Sequence, residues 1–444
     1  MKFHRRDVLR AGLLSALGAS ASGWFPVLAD QAALDPKRRR HCVLLWMNGG
    51  PSQTDTFDMK PGHEHGGSFK EIETSAAGLR FSEHLPTLAK QADRLAVIRG
   101  LSTKEGDHGR GTFLMRTGQT PGGPLRYPTI GSSLSKQLGS DEAPLPNYVS
   151  ISPYTLFNPA AFSPGFLGPR YAALTVGATA TYAPGNGNQQ PAEGFAELGV
   201  DDLRYPGSVS EAQARGRLEL WRTLQDGFLS KHQLSAPIAH DTVYRRAVRM
   251  MDSEAAKAFD LSEESKEVRE AYGRGRFGQG CLMARRLIER GVPFVEVSLG
   301  SFDGGVGWDT HADNFNVVQN LSKELDAGWG TLMTELSDRG LLDSTTILWM
   351  GEFGRTPKIN QSTGRDHFPD AWSCVLAGGG IRGGQAHGRT SADGLTVEEG
   401  KVGVGDVLAT LTKALGVDPA TTNESEIGRP IKIAEGTPIE ALLG

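Results

Sequence analysis

The sequence predicts an α/β protein with a doubly wound, mostly parallel sheet and helices on both of its faces. Short apolar runs of strand length alternate along the chain with segments in which apolar residues recur at helical spacing. Repeated alternation of strand and helix is typical of a parallel sheet covered by helices. Ligands of such sheets bind beyond the carboxyl ends of the strands, so the residues that follow each strand are the first candidates for a functional site.

The first predicted strand is the continuous apolar run 41–47, which ends at Asn48-Gly49-Gly50-Pro51. A run without polar alternation fits a strand that is buried on both faces. The same reasoning predicts further strands at 95–98, 293–299, 345–350 and 372–377.

Helical spacing of apolar residues predicts helices within 209–235, within 242–290 and over 314–338. A last helix over 405–415 begins at Gly405-Asp406, where the aspartate side chain can cap the helix. A glycine-rich stretch near 155–207 shows little periodicity, which predicts a loop-rich insertion.

The N-terminal residues have the features of an export signal. Arg5 and Arg6 precede an apolar run rich in glycine and alanine, and residues 27–29 (Val-Leu-Ala) offer a cleavage site. This order predicts a twin-arginine signal peptide over 1–29 and a single α/β domain over 30–444, exported by the twin-arginine machinery to the periplasm or the exterior. The alternative is that the segment forms an amphipathic first helix of the domain.

Composition excludes several classes of protein. With 47 Lys and Arg residues against 51 Asp and Glu residues, the formal net charge is −4, which argues against a nucleic-acid-binding protein. Three cysteines cannot form a disulfide framework. Apart from the signal, no segment reaches eighteen uncharged apolar residues, so no membrane span is expected in the mature chain.

Carboxylates and histidines follow several of the predicted strands and should meet at one edge of the sheet. Asp309 and His311 alternate after one strand, so an extended backbone would direct both side chains to the same face. Asp366 and His367 are adjacent, so both can bind a metal only in a twisted loop. In an extended segment one binds the metal and the other orients a ligand. Mixed oxygen and nitrogen ligands suit Zn²⁺, Mn²⁺ or Fe, and a carboxylate-dominated set suits Mg²⁺ or Ca²⁺.

Each of these signals also has a simpler interpretation. The pair Asp309 and His311 can be a helix entry before 314–338. Glu352 can be a buried ion-pair partner of Arg355, and Asp58 can cap a turn. The metal site is predicted because the signals agree on one edge of one sheet.

Four segments resemble the signature of an uncharacterised family, the "domain of unknown function" family numbered 1501. The segments are 49–58, 308–311, 351–357 and 364–369, and the resemblance extends over about 40 to 440. That family is placed in the alkaline phosphatase-like superfamily, with sulfatases, phosphoglycerate mutases and phosphonate hydrolases. The resemblance implies a doubly wound α/β fold and a one- or two-metal site that activates a nucleophile against a phosphate or sulfate ester.

The resemblance also implies roles for individual residues. Segment 107–118 is similar to the nucleophile segment of sulfatases, and the position of the cysteine or serine nucleophile falls on His108. His108 is therefore a candidate metal ligand, nucleophile or acid/base group. The nearby hydroxyls of Ser52 and Thr112 are the alternative nucleophiles, and Ser52 is predicted to be catalytic together with His108. Phe353 stands where relatives carry a metal-binding histidine or asparagine. By position, the implied metal ligands are Asp55, Asp309, His311, Glu352, Asp366 and His367.

The preferred function is an exported, metal-dependent hydrolase of sulfate or phosphate esters, with small anionic esters and polysaccharide esters as candidate substrates. Arg355, with Arg110 or Arg382, would hold the anionic group through bidentate hydrogen bonds. The alternative is a non-catalytic relative that binds a glycan or a partner. The absent serine or cysteine favours this alternative, and the retained carboxylates and histidines oppose it. A redox enzyme ranks last, because the chain lacks a dinucleotide fingerprint and a cysteine cluster.

Overall fold

The computed structural model describes residues 40–177, 194–200, 203, 205, 207–232, 235–251, 253–300 and 307–444. The predicted signal peptide, residues 1–29, lies outside the described residues, as does part of the predicted insertion near 155–207. No helix in the described ranges is long and apolar enough to cross a membrane.

The secondary structure follows the predicted alternation. The strands are β1 (His41–Met47), β2 (Glu71–Glu73), β3 (Arg80–Ser82), β4 (Leu95–Leu101), β5 (Tyr148–Ile151), β6 (Leu174–Val176), β7 (Phe294–Leu299), β8 (Thr345–Gly351), β9 (Gly354–Arg355), β10 (His367–Phe368), β11 (Trp372–Gly378), β12 (Gln385–His387), β13 (Arg389–Thr390), β14 (Val397–Glu399), β15 (Thr422–Glu424) and β16 (Pro430–Lys432). The helices are α1 (Pro86–Ala89), α2 (His108–Thr117), α3 (Ile130–Leu138), α4 (Glu211–Leu229), α5 (Ser235–Met251), α6 (Lys266–Tyr272), α7 (Arg276–Glu289), α8 (Asn314–Asp338) and α9 (Val404–Ala414).

Eight strands form one sheet in the spatial order β12-β4-β11-β8-β1-β7-β5-β6. β1 runs parallel to β7 and β8, β5 runs parallel to β6 and β7, and β12 runs parallel to β4. Only β11 is antiparallel to its neighbours within this sheet. The predicted doubly wound, mostly parallel sheet is therefore confirmed.

The direction of β11 corrects one expectation. Because β11 is antiparallel, its first residue lies at the carboxyl edge of the other strands, and its last residue pairs with Thr346 near the start of β8. The segment after β11 therefore begins at the opposite edge of the sheet, where the backbone N–H of Arg382 bonds to Leu442. Arg382 was considered as an anion-binding residue of the site, and the topology removes it from that role.

Alternate residues of β1 enter two separate hydrophobic cores, which places helices on both faces of the sheet. Val43, Leu45 and Met47 pack in the core that includes α7 and α8. Cys42, Leu44 and Trp46 pack in the core that includes residues of α2, α3 and α9.

Two helix predictions need adjustment. The helical region 242–290 is divided into α5, α6 and α7, and Gly273, with φ of +91°, directly follows α6. Helix α9 begins at Val404 with Gly403 as its N-cap. Asp406, which was predicted to be the cap, is the third residue of the helix. Its side chain accepts the backbone N–H of Gly403 at a distance of 2.9 Å.

A buried ion pair attaches α2 to the sheet. The guanidinium of Arg116 on α2 donates to both carboxylate oxygens of Glu296 on β7, at 2.9 and 2.6 Å. The hydroxyl of Tyr148 on β5 donates to the same carboxylate at 2.7 Å, and the Arg116 guanidinium lies 3.8 Å from the ring centroid of Phe162. Because α2 begins at His108, this ion pair also helps to position the N-terminal end of α2.

Glu324 on α8 makes the stability of the protein dependent on pH. Burial raises the pKa of this carboxyl to about 7, and a hydrogen bond from the backbone of Phe277 offsets only part of that effect. The native state then binds more protons than the unfolded state between about pH 4.5 and 7, so stability decreases as pH rises through this interval.

The substitution Glu324→Gln changes the free energy of unfolding by an amount that depends on pH. This change should be about 1–3 kcal/mol more favourable to the folded state at pH 8 than at pH 5. Urea denaturation at the two pH values measures the difference. Asp338→Asn, which removes an exposed carboxylate from the same helix, serves as the control and should leave the pH dependence unchanged. Equal effects of Glu324→Gln on the free energy of unfolding at both pH values would contradict the claim that Glu324 makes the stability depend on pH.

Candidate metal centre

Residues that are distant in sequence meet beyond the carboxyl ends of the central strands. Asp309 and His311 come after β7, and Glu352 directly follows β8. His108 is the first residue of α2, which follows β4. His367 lies on β10, which precedes β11 and pairs with Arg355 on β9. The antiparallel direction of β11 thus explains why a residue before that strand reaches the same edge.

Each of three histidines is oriented by an oxygen atom at its Nδ1. His108 Nδ1 donates to Oε1 of Glu352 at 2.7 Å, and His311 Nδ1 donates to Oδ1 of Asp366 at 2.8 Å. His367 Nδ1 donates to the carbonyl oxygen of Gly106 at 2.7 Å. Carbonyl and carboxylate oxygens only accept hydrogen bonds, so the neutral rings carry their proton on Nδ1 and a lone pair on Nε2.

The three Nε2 atoms converge on the carboxylate of Asp309. Those of His311 and His367 lie 3.0 and 3.2 Å from Oδ1, and that of His108 lies 3.3 Å from Oδ2. The Nε2 atoms of His311 and His367 are 3.0 Å apart. The lone pairs on these Nε2 atoms face one another and the carboxylate of Asp309. Such groups repel one another unless protons or a cation lie between them.

These separations fit a divalent metal ion. Ligand atoms about 2.0–2.1 Å from a tetrahedral ion are about 3.3 Å from one another, which is close to the observed spacings. Among the described residues, one group of at least three acidic, histidine or cysteine side chains has its ligand atoms within 4.8 Å of one another, and it consists of His108, Asp309 and His367. In metal sites the histidine nitrogen that does not bind the metal commonly donates to a carboxylate or a carbonyl oxygen. The three imidazoles of this cluster are fixed in the same way, through Nδ1.

The electrostatics of the cluster favour a cation. Burial acts to raise the pKa of Asp309, but hydrogen bonds from His108 and His367 and the charge of Arg355 outweigh it and hold this pKa well below its ordinary value. Burial acts to lower the pKa of His108, but hydrogen bonds to Asp309 and Glu352 outweigh it and raise this pKa to about 9. Protons therefore compensate the negative charge in the absence of metal, and they would be displaced when metal binds.

Arg355 supports Asp309 and does not face a ligand. Its side chain is fully buried, with Nε donating to the carbonyl of Gly50 at 3.1 Å and Nη1 to that of Arg365 at 3.3 Å. Its Nη2 contacts the carbonyl of Gly49 and lies 2.5 Å from Oδ1 of Asp309. The predicted role of Arg355 as a clamp on the substrate anion does not agree with these contacts.

Asp55 and Ser52 are held by partners of their own. Both oxygens of Asp55 accept from the guanidinium of Arg365, at 2.7 and 2.9 Å, and Oδ2 also accepts from Asn314 at 2.8 Å. The hydroxyl of Ser52 is buried and bonds to Thr54 at 3.1 Å. Asp55 was predicted to bind metal, but it forms a buried ion pair. Ser52 was predicted to be catalytic, but its hydroxyl is part of a local turn.

Glu352 and Asp366 belong to the site as supporting groups. Both were predicted to bind the metal directly, but each lies behind a histidine, at the Nδ1 of His108 and of His311 respectively. Oε1 of Glu352 also accepts the backbone N–H of Gly49 at 2.8 Å. The other candidate arginine, Arg110, forms an ion pair with Glu105 at 2.6 Å.

Sequence reasoning missed two groups that hold the histidines. The carbonyl of Gly106 has no side-chain signature, although it lies two residues before His108. Phe157 stacks on the ring of His108 with centroids 4.3 Å apart and planes inclined by 6°. Phe157 lies in the predicted insertion near 155–207, and only its aromatic character could have drawn attention to it.

Loss of a supporting carboxylate should weaken metal binding without abolishing it. Glu352→Gln and Asp366→Asn should each lower metal affinity by about 10–100-fold, because the histidine that each orients becomes less basic and less fixed. The larger loss is expected for Glu352, which is 1% exposed, while the Asp366 side chain is 54% exposed. Competition with a coloured chelator measures the affinity, and Glu399→Gln on β14, which removes an exposed partner of Arg389, is the control. Unchanged affinity in both site variants would contradict the supporting role.

Solved structures that resemble the chain are distant from it. They include the PsFucS1 sulfatase from Pseudoalteromonas sp., at 11% identity and TM-score 0.40 over 87% of this chain and 71% of that one. They also include the phosphonate monoester hydrolase SpPMH from Silicibacter pomeroyi, at 11% identity and TM-score 0.36 over 90% and 76%. A protein in the alkaline phosphatase superfamily from Vibrio parahaemolyticus matches at 13% identity and TM-score 0.35 over 85% and 67%. Likeness at these TM-scores assigns no activity to this chain.

The comparison with curated proteins gave no match. Residues 39–443 match the profile of a family described as "Protein of unknown function (DUF1501)". This range covers nearly the whole chain and includes all four segments on which the resemblance was based. The protein therefore belongs to the DUF1501 family.

Proposed function

We propose that this protein is a metal-dependent hydrolase of sulfate or phosphate esters, exported by the twin-arginine route to the periplasm or the exterior. The observation that carries the proposal is the convergence of three histidine Nε2 atoms on Asp309 at the carboxyl edge of the sheet. Asp309 and the Nε2 atoms of His108, His311 and His367 would hold the metal. A bound divalent cation supplies Lewis-acid stabilisation of the charge that develops on a reacting ester.

The chain's own residues have distinct tasks in this proposal. Arg355 fixes the carboxylate of Asp309 through its contact at 2.5 Å. Glu352 holds Nδ1 of His108, so this imidazole can bind metal or exchange a proton only through Nε2. The side chain of His311 is 47% exposed, which leaves this side of the cluster open to an anionic ester and to water.

Water is the attacking group that fits this arrangement. The hydroxyls of Ser52 and Thr112 are both buried, and that of Ser52 is bonded to Thr54. Neither hydroxyl is presented to the open side beside His311. A hydrolase that uses water needs no covalent intermediate on the protein, which accounts for a histidine at the position where sulfatases have a nucleophile.

The alternative is a non-catalytic protein that uses the same fold to bind a glycan or a partner, and the buried hydroxyls favour it. Turnover of aryl sulfates and aryl phosphates by the purified protein decides between the two. The hydrolase should turn over at least one ester class, lose activity on chelation and regain it when metal is restored. Ser52→Ala should retain activity and His108→Ala should lose it. Bound metal without turnover of either class would favour the alternative.

Export is tested independently of catalysis. Replacing Arg5 and Arg6 by lysine should retain the protein in the cytoplasm if the twin-arginine machinery recognises residues 1–29. Fractionation followed by immunoblotting measures this distribution. Equal amounts of wild type and variant in the periplasm would contradict the proposed route.

A further inference from the structure

Helices α4 and α5 present apolar side chains to solvent. Nine large apolar side chains are exposed among the described residues, and six of them lie on these two helices. They are Leu220, Leu224, Phe228, Ile238, Val243 and Tyr244. We propose that α4 is the surface through which two copies of this chain form a dimer. Such a dimer is independent of the proposed hydrolase activity.

Helix α4 has an exposed apolar stripe in addition to the residues that hold it in the fold. Leu220, Leu224 and Phe228 are spaced by four residues, so their side chains form one row along the helix. They are 61%, 64% and 47% exposed. Another residue of α4 contacts α5, because the ring of Trp221 stacks on that of Tyr244 with centroids 5.6 Å apart. The α4 stripe, which consists of Leu220, Leu224 and Phe228, is therefore open to a partner.

Two glycines on α4 leave room for a second helix beside the α4 stripe. Gly216 precedes Leu220 by four residues and Gly227 follows Leu224 by three, so both glycines border the stripe. A Cβ atom added at either glycine would have no heavy atom within 4 Å outside its own stretch of helix. Glycine inside a helix lowers its stability relative to alanine, and no contact in the described part of the chain uses the space. A helix of a second copy can approach the backbone of α4 closely at these positions.

The charges of α4 suit contact with an identical surface. The exposed charged residues of the helix are Glu211, Glu219 and Asp226 on the acidic side of the balance and Arg215, Arg217 and Arg222 on the basic side. A surface that carries net charge is repelled by its own copy, and α4 carries none. Helices that bind anionic membranes carry an excess of lysine and arginine, so the balance favours a second copy over a membrane.

The area of the exposed apolar surface matches that of a standard dimer interface. Such an interface buries about 800 Å² on each partner, of which about 60%, or roughly 500 Å², is nonpolar. From their exposed fractions, the side chains of the α4 stripe and of Tyr244 present roughly 400–500 Å² to solvent. In a two-fold dimer each copy contributes the same patch, so these side chains supply the nonpolar area on both sides.

Sedimentation equilibrium of the purified full-length protein measures the association. The wild type should form a dimer, and Leu224→Glu should raise its dissociation constant by about 100-fold or more, because carboxylates without partners would be buried in the interface. The variant should keep its fold, since Leu224 is mostly exposed in the single chain. Ile427→Glu, at a residue that is 79% exposed between β15 and β16, is the matched control and should dimerise as the wild type does.

Thiol cross-linking shows which surface forms the interface. The three native cysteines are buried, so a cysteine introduced at an exposed position is the accessible one. A short bismaleimide should trap Leu224→Cys as a covalent dimer and leave Ile427→Cys as single chains.

Three results would overturn the proposed dimer. The first is a wild type that remains monomeric, and the second is a dimer that persists in Leu224→Glu or is trapped through Ile427→Cys. The third is a monomeric wild type that binds vesicles of anionic phospholipid while Leu224→Glu does not, which would assign the α4 stripe to a membrane surface. None of these results bears on the hydrolysis of esters.

Discussion

Asp309→Asn should abolish stoichiometric metal binding and, with it, ester hydrolysis. The substitution preserves the shape of the side chain but removes the negative charge toward which three Nε2 atoms point. Loss of this central ligand should lower metal affinity by more than the factor of about 10–100 that is expected for a supporting residue. Elemental analysis after dialysis and turnover of aryl esters measure the two effects.

The fold should survive this change, because Asp309 belongs to neither hydrophobic core. The buried guanidinium of Arg355 loses a charged partner but keeps its hydrogen bonds to backbone carbonyls. The amide of asparagine also relieves the close approach of lone pairs in the metal-free protein. Asp338→Asn, at an exposed position on α8, is the matched control and should retain metal and turnover. Full metal content in Asp309→Asn would show that the metal binds elsewhere.

Glu296→Gln should be the most destabilising single substitution among those considered. It leaves the guanidinium of Arg116 buried in the core without a compensating charge. It also replaces one of the two oxygens that accept from Arg116 and Tyr148 by an amide NH2 group, which cannot accept a hydrogen bond. Breaking one partner of a buried ion pair costs about 3–5 kcal/mol. Urea denaturation measures the free energy of unfolding.

Two comparisons separate the charge effect from general damage to the core. The double variant Arg116→Met, Glu296→Leu should recover most of the lost stability, because an apolar pair replaces an ion pair at similar volume. Glu399→Gln, which removes an exposed partner of Arg389, should leave the free energy of unfolding nearly unchanged. A double variant that is no more stable than Glu296→Gln would contradict the explanation.

Local patterns predicted the strands and the general position of the site. The uninterrupted apolar run of β1 and the helical spacing of α8 gave bounds that agree with the structure. The edge at which Asp309, His311 and Glu352 meet also followed from the alternation of strands and helices. The direction of β11 could not be predicted in this way, because an apolar run has the same composition whether the strand is parallel or antiparallel to its neighbours.

The division between ligands and supporting groups depends on contacts that no local pattern contains. Asp55 was expected to bind metal, yet it pairs with Arg365, which is 310 residues away in sequence. Arg355 was expected to face a substrate, but backbone carbonyls of the loop after β1 surround it. Both arginines lie near histidine and acidic motifs, and only the three-dimensional packing distinguishes an anion clamp from a buried structural cation.

The most direct test of the metal centre is anomalous diffraction from crystals of the full-length protein loaded with Zn²⁺ or Mn²⁺. The account predicts an anomalous peak within coordination distance of Asp309 and of the histidine Nε2 atoms that converge on it. A peak coordinated by other residues, or no peak in crystals grown with saturating metal, would contradict the claim that this cluster is a metal site.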